Sequence, residues 1–327
     1  MVSSLHGAAA APEESRIPPL PNFIVAGVPK AGTTSLHSYL AQHPQVYMSP
    51  LKEPMYFGAR DILSGPFREQ FLAYAGRVPA HLREFLDDVE HRRGERYALH
   101  WETYTRLFEG VRDETAIGEA SIDYVWLPSA AMAIREQFPD VRLIFVLRDP
   151  ADKLGSSFHV ARRRRPDLVF QEWFAAATRP GSPSWPLADS ARYATHLARF
   201  LALFPRDQMR IYLYDQYRAD PRGMVRDIFA FLGVDPEYPI DMTERHNEGV
   251  LPRAPRVHRL RRRLLGDWAP TRPLPARVRR FLQRLYYRPR ADAPMAAADR
   301  RVVIDYYRDE IRRTEAILGQ DLSNWLR

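Results

Sequence analysis

The chain has 327 residues, 45% of them hydrophobic, enough for one large core or a core with an appended lobe. It contains no cysteine, which excludes disulfides, thiolate metal sites and a cysteine nucleophile, and fits a cytoplasmic location. The formal charge of +8 is local: thirteen arginines lie between Arg253 and Arg290 against one acid, Asp267, so that segment points to an anionic partner nearby more than to a general nucleic-acid coat.

Residues 1–20 read as a flexible leader, because no basic n-region is followed by an apolar h-region. No apolar run reaches the roughly 18 residues that span a bilayer, so no membrane span is expected. The first informative stretch is Phe23 to Leu40, FIVAGVPKAGTTSLHSYL. Phe23, Ile24, Val25 and Val28 predict a short buried strand, Gly27 and Gly32 free a loop, and Thr33, Thr34 and Ser35 open a helix. Such a strand, loop and helix cradle phosphate. Against the ATP-binding pattern G-x-x-x-x-G-K-(S/T), threonine stands in the lysine position at Thr33, and the loop's lysine, Lys30, has moved to mid-turn. The bland alternative is a glycine turn that merely joins a strand to a helix.

The helix from Thr34 to Gln42 carries Leu36, Tyr39 and Leu40 and stops at His43-Pro44; Val46 to Met48 reads as a second strand. Ser49 to Phe57 is a proline-containing turn with the pair Lys52-Glu53. Helices are expected over Phe67 to Tyr74 and Ala80 to Glu90, with Trp101, Tyr104 and Phe108 in an acceptor-side insertion. Ile117 to Tyr124 ends a short strand in Glu119, a carboxylate placed either as a general base or as an ordinary surface acid. Val141 to Leu147 is the clearest buried strand, followed by Arg148-Asp149-Pro150 and a helix to about Arg163; a parallel sheet binds ligands at such strand ends. As a Walker B strand the same run would offer Asp149 to magnesium, but the first loop lacks the partner lysine.

The cluster Arg162 to Arg165 complements a helix end. The Ser- and Pro-rich loop with Trp185 would border an acceptor cleft. Ala191 to Phe204 is amphipathic, with Tyr193 read by default as a core aromatic, and Met209 to Tyr214 is another strand. Helical pieces are expected in the arginine-rich segment, then a terminal helix from Ala297 to Trp325 with Val303, Tyr306, Ile311 and Ile317 on its apolar side and Gly319 ending it. No internal repeat is present. Only three of the 48 basic residues are lysine, Lys30, Lys52 and Lys153; a lysine in this arginine-dominated chain points to a compact charge where a planar fork would not fit.

Pro29 to Thr34 match P-K-(S/T/A)-G-T-T in full and resemble the 5′-phosphosulfate loop of sulfotransferases that use 3′-phosphoadenosine 5′-phosphosulfate (PAPS). Arg148 to Ser156 resemble that family's 3′-phosphate motif R-(N/D)-P-x-(D/E)-R-x-x-S, with Lys153 in place of the second arginine. Lys52 to Phe57 resemble K-E-P-x-(F/Y)-F, and Glu119 to Tyr124 resemble E-K-S-x-x-Y, with Ala120 and Ile122 departing from it. The likeness covers about Pro21 to Leu251 and implies that Lys30, Ala31, Gly32, Thr33, Thr34 and Ser35 hold the 5′ end of the donor. It further implies that Arg148 and Ser156 grip the 3′-phosphate, with Tyr193, Arg245 and Asn247 near the nucleotide. Glu119 would take the acceptor proton and Lys30 would offset charge on the departing adenosine 3′,5′-bisphosphate (PAP), while Lys52, Glu53, His100 and Tyr124 would face the acceptor. Family members of the animal Golgi carry an N-terminal anchor, so the leader read here favours a soluble, bacterial-type enzyme.

The expectation is therefore an α/β fold, a P-loop NTPase-like parallel sheet flanked by helices. A leader would occupy residues 1–20, the PAPS-binding core 21–251, and an arginine-rich helical extension packed on the core 252–327. The reaction expected is transfer of a sulfuryl group from PAPS to a hydroxyl of a small molecule or glycan, with no metal and no nucleic acid. His100 is the alternative base. Two rivals remain, a P-loop kinase using ATP and magnesium and an anionic-polymer binding protein; the acceptor and the oligomeric state are not legible.

Overall fold

The computed structural model describes residues 19–64, 100–162, 165, 167–180, 182, 184–243, 250–252, 287–289 and 295–327. The helices expected at 67–74 and 80–90, residues Arg245 and Asn247, and nearly all of the arginine-rich segment lie outside these residues.

Strands β1 (Phe23–Gly27), β2 (Val46–Met48), β3 (Ala116–Glu119), β4 (Arg142–Leu147) and β5 (Met209–Leu213) form one five-stranded sheet in the order β2-β3-β1-β4-β5. Every pairing in it is parallel. The pattern follows from composition, because strands covered on both faces carry continuous apolar runs. All of β1 is buried, and so is all of β4 beyond Arg142.

The chain leaves β1 through helix α1 (Thr33–Leu40) toward β2 on one side, while β4 lies against β1 on the other. The carboxyl ends of β1 and β4 thus flank a topological switch point, where parallel α/β sheets open a ligand crevice. The amide of Val28 donates to Val146 O at 3.1 Å and carries the pairing one residue past β1 into the loop.

The terminal helix, Ala297–Leu318, ends at Gly319 with φ 63, as the glycine signal required. It packs against the helices Pro150–Arg162 and Tyr193–Leu201. Its buried stripe is Val303, Ile304, Tyr307, Glu310, Ile311 and Thr314, so the expected apolar Tyr306 is a correction: it is 49% exposed, and Tyr307 takes the inward place. The spacing 303, 307, 311, 314 advances about one turn each time, and Tyr306 falls roughly a quarter turn off that stripe. Val250–Pro252, just before the arginine-rich segment, and Tyr287–Pro289, near its end, pair as antiparallel strands.

Gly118 in β3 pairs with Phe23 in β1, and a Cβ there would stand 2.2 Å from the buried Phe23 ring. Gly118→Ala is expected to lower stability by about 1–3 kcal/mol through overpacking, read as a shifted midpoint in urea.

Candidate active site

The loop after β1 is built on left-handed backbone. Lys30 has φ 69 and Gly32 has φ 80. Glycine is required at 32 twice over, by that angle and because a Cβ would meet the Tyr217 ring at 2.7 Å. Ala31, Thr33 and Ser35 are buried and Thr34 is half-buried, while Lys30 is exposed at the turn. Helix α1 begins with no side-chain cap and no acidic residue in its first turn, so its first amides and its dipole are available to an anion.

Arg148 enters from the end of β4. Its Nη1 donates to Lys30 O at 2.9 Å, and its guanidinium lies 4.6 Å from the centre of the Tyr214 ring. Nε is buried without a hydrogen-bond partner. Those features fit an anionic ligand: a guanidinium edge held in place with a donor unspent, beside uncapped helix amides. Tyr193, expected near the nucleotide, is 1% exposed and reaches the site through Arg148, donating from Oη to Arg148 O at 2.6 Å. Ser156 lies half-buried two turns into the helix Pro150–Arg162.

Asp149 does not stand as a metal ligand would. Its Oδ1 accepts from the amides of Ala151 at 2.7 Å and Asp152 at 3.4 Å, capping the helix, and its Oδ2 meets Arg300 Nη2 at 2.5 Å. Lys153 turns inward, wholly buried, and donates to Leu187 O and Ser190 Oγ, each at 2.8 Å. Burial pulls its ammonium down to about 7. It therefore ties its helix to the short helix Trp185–Asp189, which replaces the loop expected around Trp185.

The two remaining motifs dock on each other. Glu53 N donates to Ala120 O at 3.0 Å, Met55 N to Ser121 Oγ at 3.1 Å and Phe57 N to Tyr124 Oη at 3.3 Å. The spacing Glu119-x-Ser121-x-x-Tyr124 thus acts as a rack for the Lys52–Phe57 turn, holding Glu53 at φ 67 and Met55 at φ 62. Tyr124, expected to face the acceptor, is fully buried and holds Phe57 instead. Lys52 Nζ and Glu53 Oε1 pair at 2.5 Å, with side chains 23% and 15% exposed.

Glu119 is 0% exposed. Tyr104 Oη lies 3.5 Å from its Oε1, and its Oε2 has no hydrogen-bond partner. Burial pushes its carboxyl up to about 7; the hydroxyls of Ser121, Tyr124 and Tyr104 offset part of this and the charge of Glu53 adds to it. Tyr104 and Phe108 are buried and Trp101 is half-buried, and with Tyr104 5.4 Å from Phe108 and 6.0 Å from Trp101 between ring centres these aromatics form a wall behind Glu119. Tyr56 stacks on Tyr104 with ring centres 4.8 Å apart. His100 is exposed at the start of the helix Trp101–Arg106.

Sequence reasoning passed over Asp123. It is half-buried, accepts from Trp126 Nε1 at 2.8 Å, and is pushed up to about 6 by burial and by Glu53, with the Trp126 bond and the charges of Lys153 and Lys52 acting against the rise. As an unspecified position inside the E-x-S-x-x-Y spacing it carried no signal of its own.

A five-stranded parallel sheet flanked by helices, with a glycine-bearing loop and an uncapped helix at its switch point, defines an α/β fold of P-loop type. Residues 21–238 match the model of the Sulfotransferase family, and the chain belongs to that family. It is 31% identical over 164 residues to the membrane-associated sulfotransferase kil1 of Dictyostelium discoideum, covering 49% of this chain and 28% of that protein. It is 26% identical over 218 residues to heparan sulfate glucosamine 3-O-sulfotransferase 3A1 of Mus musculus, covering 66% of this chain and 46% of that protein. The chain thus matches less than half the length of either curated relative. The crystal structure of a sulfotransferase from Alicyclobacillus acidocaldarius superposes with a TM-score of 0.67 at 27% identity, covering 94% of this chain and 100% of that one.

Folded Glu119 keeps its proton up to about pH 7, whereas the unfolded carboxyl loses it near 4.5. Between those values the native state binds more protons, so stability falls as pH rises through the window, and the full cost of the buried charge is present above it. Glu119→Gln is expected to be the more stable protein at about pH 8, by up to about 3 kcal/mol, with the gain gone near pH 4; paired thermal melts at the two pH values check this.

Proposed function

We propose that the chain transfers a sulfuryl group from PAPS to an acceptor hydroxyl, most plainly of a sugar or glycoconjugate. The observation that carries this reading is the meeting of Lys30 and Arg148 at 2.9 Å beside the uncapped start of α1. The loop amides with Thr33 and Thr34 would hold the 5′-phosphate, and Arg148 with Ser156 the 3′-phosphate that separates this donor from ATP. Against a kinase stand the threonine in the Walker lysine position and the commitment of Asp149 to its helix and to Arg300. The sugar acceptor draws its support from the heparan sulfate relative and from the motif around Glu119.

The acceptor oxygen attacks sulfur in line, the bond from sulfur to the bridging oxygen breaks, and PAP leaves with the electron pair. Lys30 neutralises charge on that oxygen. A carboxylate takes the acceptor proton. Glu119 is the motif's candidate, with a carboxyl raised to about 7. Glu53 is the second reading, favoured by one observation: its side chain is 15% exposed, whereas Glu119 is sealed by its aromatic wall.

Calorimetric titration with PAP against ATP and magnesium tests the donor. PAP binding is expected to weaken about tenfold to a hundredfold in Arg148→Ala, the scale of a lost charged hydrogen-bond pair, and preference for ATP with magnesium would overturn the reading. Lys30→Ala is expected to lose about 10²–10³ in kcat and to weaken PAP as well, because PAP carries the charge that Lys30 offsets. For the base, Glu119→Gln and Glu53→Gln are each assayed for turnover and PAP binding. The variant that binds PAP but loses about 10²–10⁴ in rate carries the role, and full activity in both removes the carboxylate from the mechanism.

A further inference from the structure

Arg300 stands in the first turn of the terminal helix, 151 residues from Asp149 in sequence, and all three nitrogens of its guanidinium are engaged. Nη2 donates to Asp149 Oδ2 at 2.5 Å, Nη1 to Asp152 Oδ1 at 3.1 Å and Nε to the main-chain oxygen of Arg327 at 2.6 Å. The Arg300 side chain is 25% exposed and that of Asp149 7%, so the first of these pairs is largely withdrawn from solvent. A fork reaching two carboxylates at once is a geometry that lysine cannot reproduce.

The place of those carboxylates gives the contact its meaning. Asp149 follows Arg148 directly and caps the helix that carries Ser156. The same terminal segment reaches Arg148 by a second route: the Trp325 ring lies 6.0 Å from that of Tyr193, whose hydroxyl holds Arg148 O. The carbonyl of Arg148, through Tyr193, and the side chain of the next residue, directly, are thereby both linked to residues beyond 295. Without Arg300, the charges of Asp149 and Asp152 would stand uncancelled at the start of the helix that carries Ser156, directly after Arg148 in the chain, and the penalty would fall on the most highly charged ligand.

We propose that Arg300 is a positioning residue of the donor site, which cancels the charge of Asp149 and Asp152 and fixes the start of their helix so that Arg148 and Ser156 accept a 3′-phosphate. This rests on the PAPS reading above. The terminal helix is on this view part of the donor site, not only a cover for the core.

The test is calorimetric titration of the full chain with PAP and, separately, with adenosine 5′-phosphate, which lacks the 3′-phosphate. Arg300→Ala is expected to weaken PAP about tenfold and adenosine 5′-phosphate less than about twofold, with the PAP loss shrinking at high salt. Arg300→Lys should fall between, since one charge remains but the fork is gone. Asp149→Asn added to Arg300→Ala removes the more buried of the two stranded charges while asparagine keeps the cap, and should return part of the PAP affinity. Equal weakening toward both nucleotides, or PAP binding at parental strength with only a lowered melting temperature, would overturn the proposal and leave Arg300 a docking residue. Should Arg300→Ala fail to fold, Arg300→Lys decides alone: PAP affinity equal to the parent overturns it. If the parent chain itself binds no PAP, the donor reading falls first and takes this proposal with it.

Discussion

The carbonyl of Lys30 is turned out of the β1 loop by a left-handed residue, and Arg148 holds it at 2.9 Å. Much of the site depends on that contact. A non-glycine residue in left-handed backbone costs about 1–2 kcal/mol, and it persists where its surroundings over-determine it. Arg148 supplies that restraint and is itself restrained: by Tyr214 under its guanidinium, by Tyr193 on its carbonyl, and through Asp149 by the helix that follows. The loop that carries Lys30 and the arginine from β4 are thus set relative to each other by protein contacts before a ligand arrives. Such preorganisation is what makes electrostatic stabilisation effective.

The region around Glu119 follows a similar logic with different parts. Glu53 and Met55 also occupy left-handed backbone, and the carbonyl and hydroxyls of Ala120, Ser121 and Tyr124 take up the amides of Glu53, Met55 and Phe57. The result places Glu53 close enough to act on both Glu119 and Asp123, with Lys52 and Lys153 acting on Asp123 in the opposite sense. Burial brings Glu119 and Asp123 upward and Lys153 downward toward neutrality. Groups titrating in that range are suited to moving protons near neutral pH, and they cost stability wherever they remain charged.

Several parts of this were legible in the chain itself. The apolar runs at Phe23 to Val28 and Val141 to Leu147 became central parallel strands because a strand covered on both faces has to be apolar throughout. Gly32 and Gly319 announced left-handed backbone, and both adopt it. Other residues were misjudged for a common reason. Tyr124 looked like an acceptor contact and Tyr306 like a core residue, yet the first is sealed and the second is 49% exposed. Spacing along a chain says which residues share a face; it does not say which face is covered.

What the sequence by itself determined is the local apparatus: a strand ending in a glycine-bearing loop, a helix opened by Thr33, Thr34 and Ser35, and an arginine at the end of a second buried strand. These follow from periodicity, backbone freedom and charge within short windows. The tertiary structure alone decided that Arg148 clasps Lys30, that Ser121 and Tyr124 hold the turn of Glu53, that Lys153 points inward, and that Arg300 closes on Asp149 from 151 residues away. Those outcomes depend on which surfaces are withdrawn from water when distant segments meet, and burial, unlike periodicity, is a property no single segment carries.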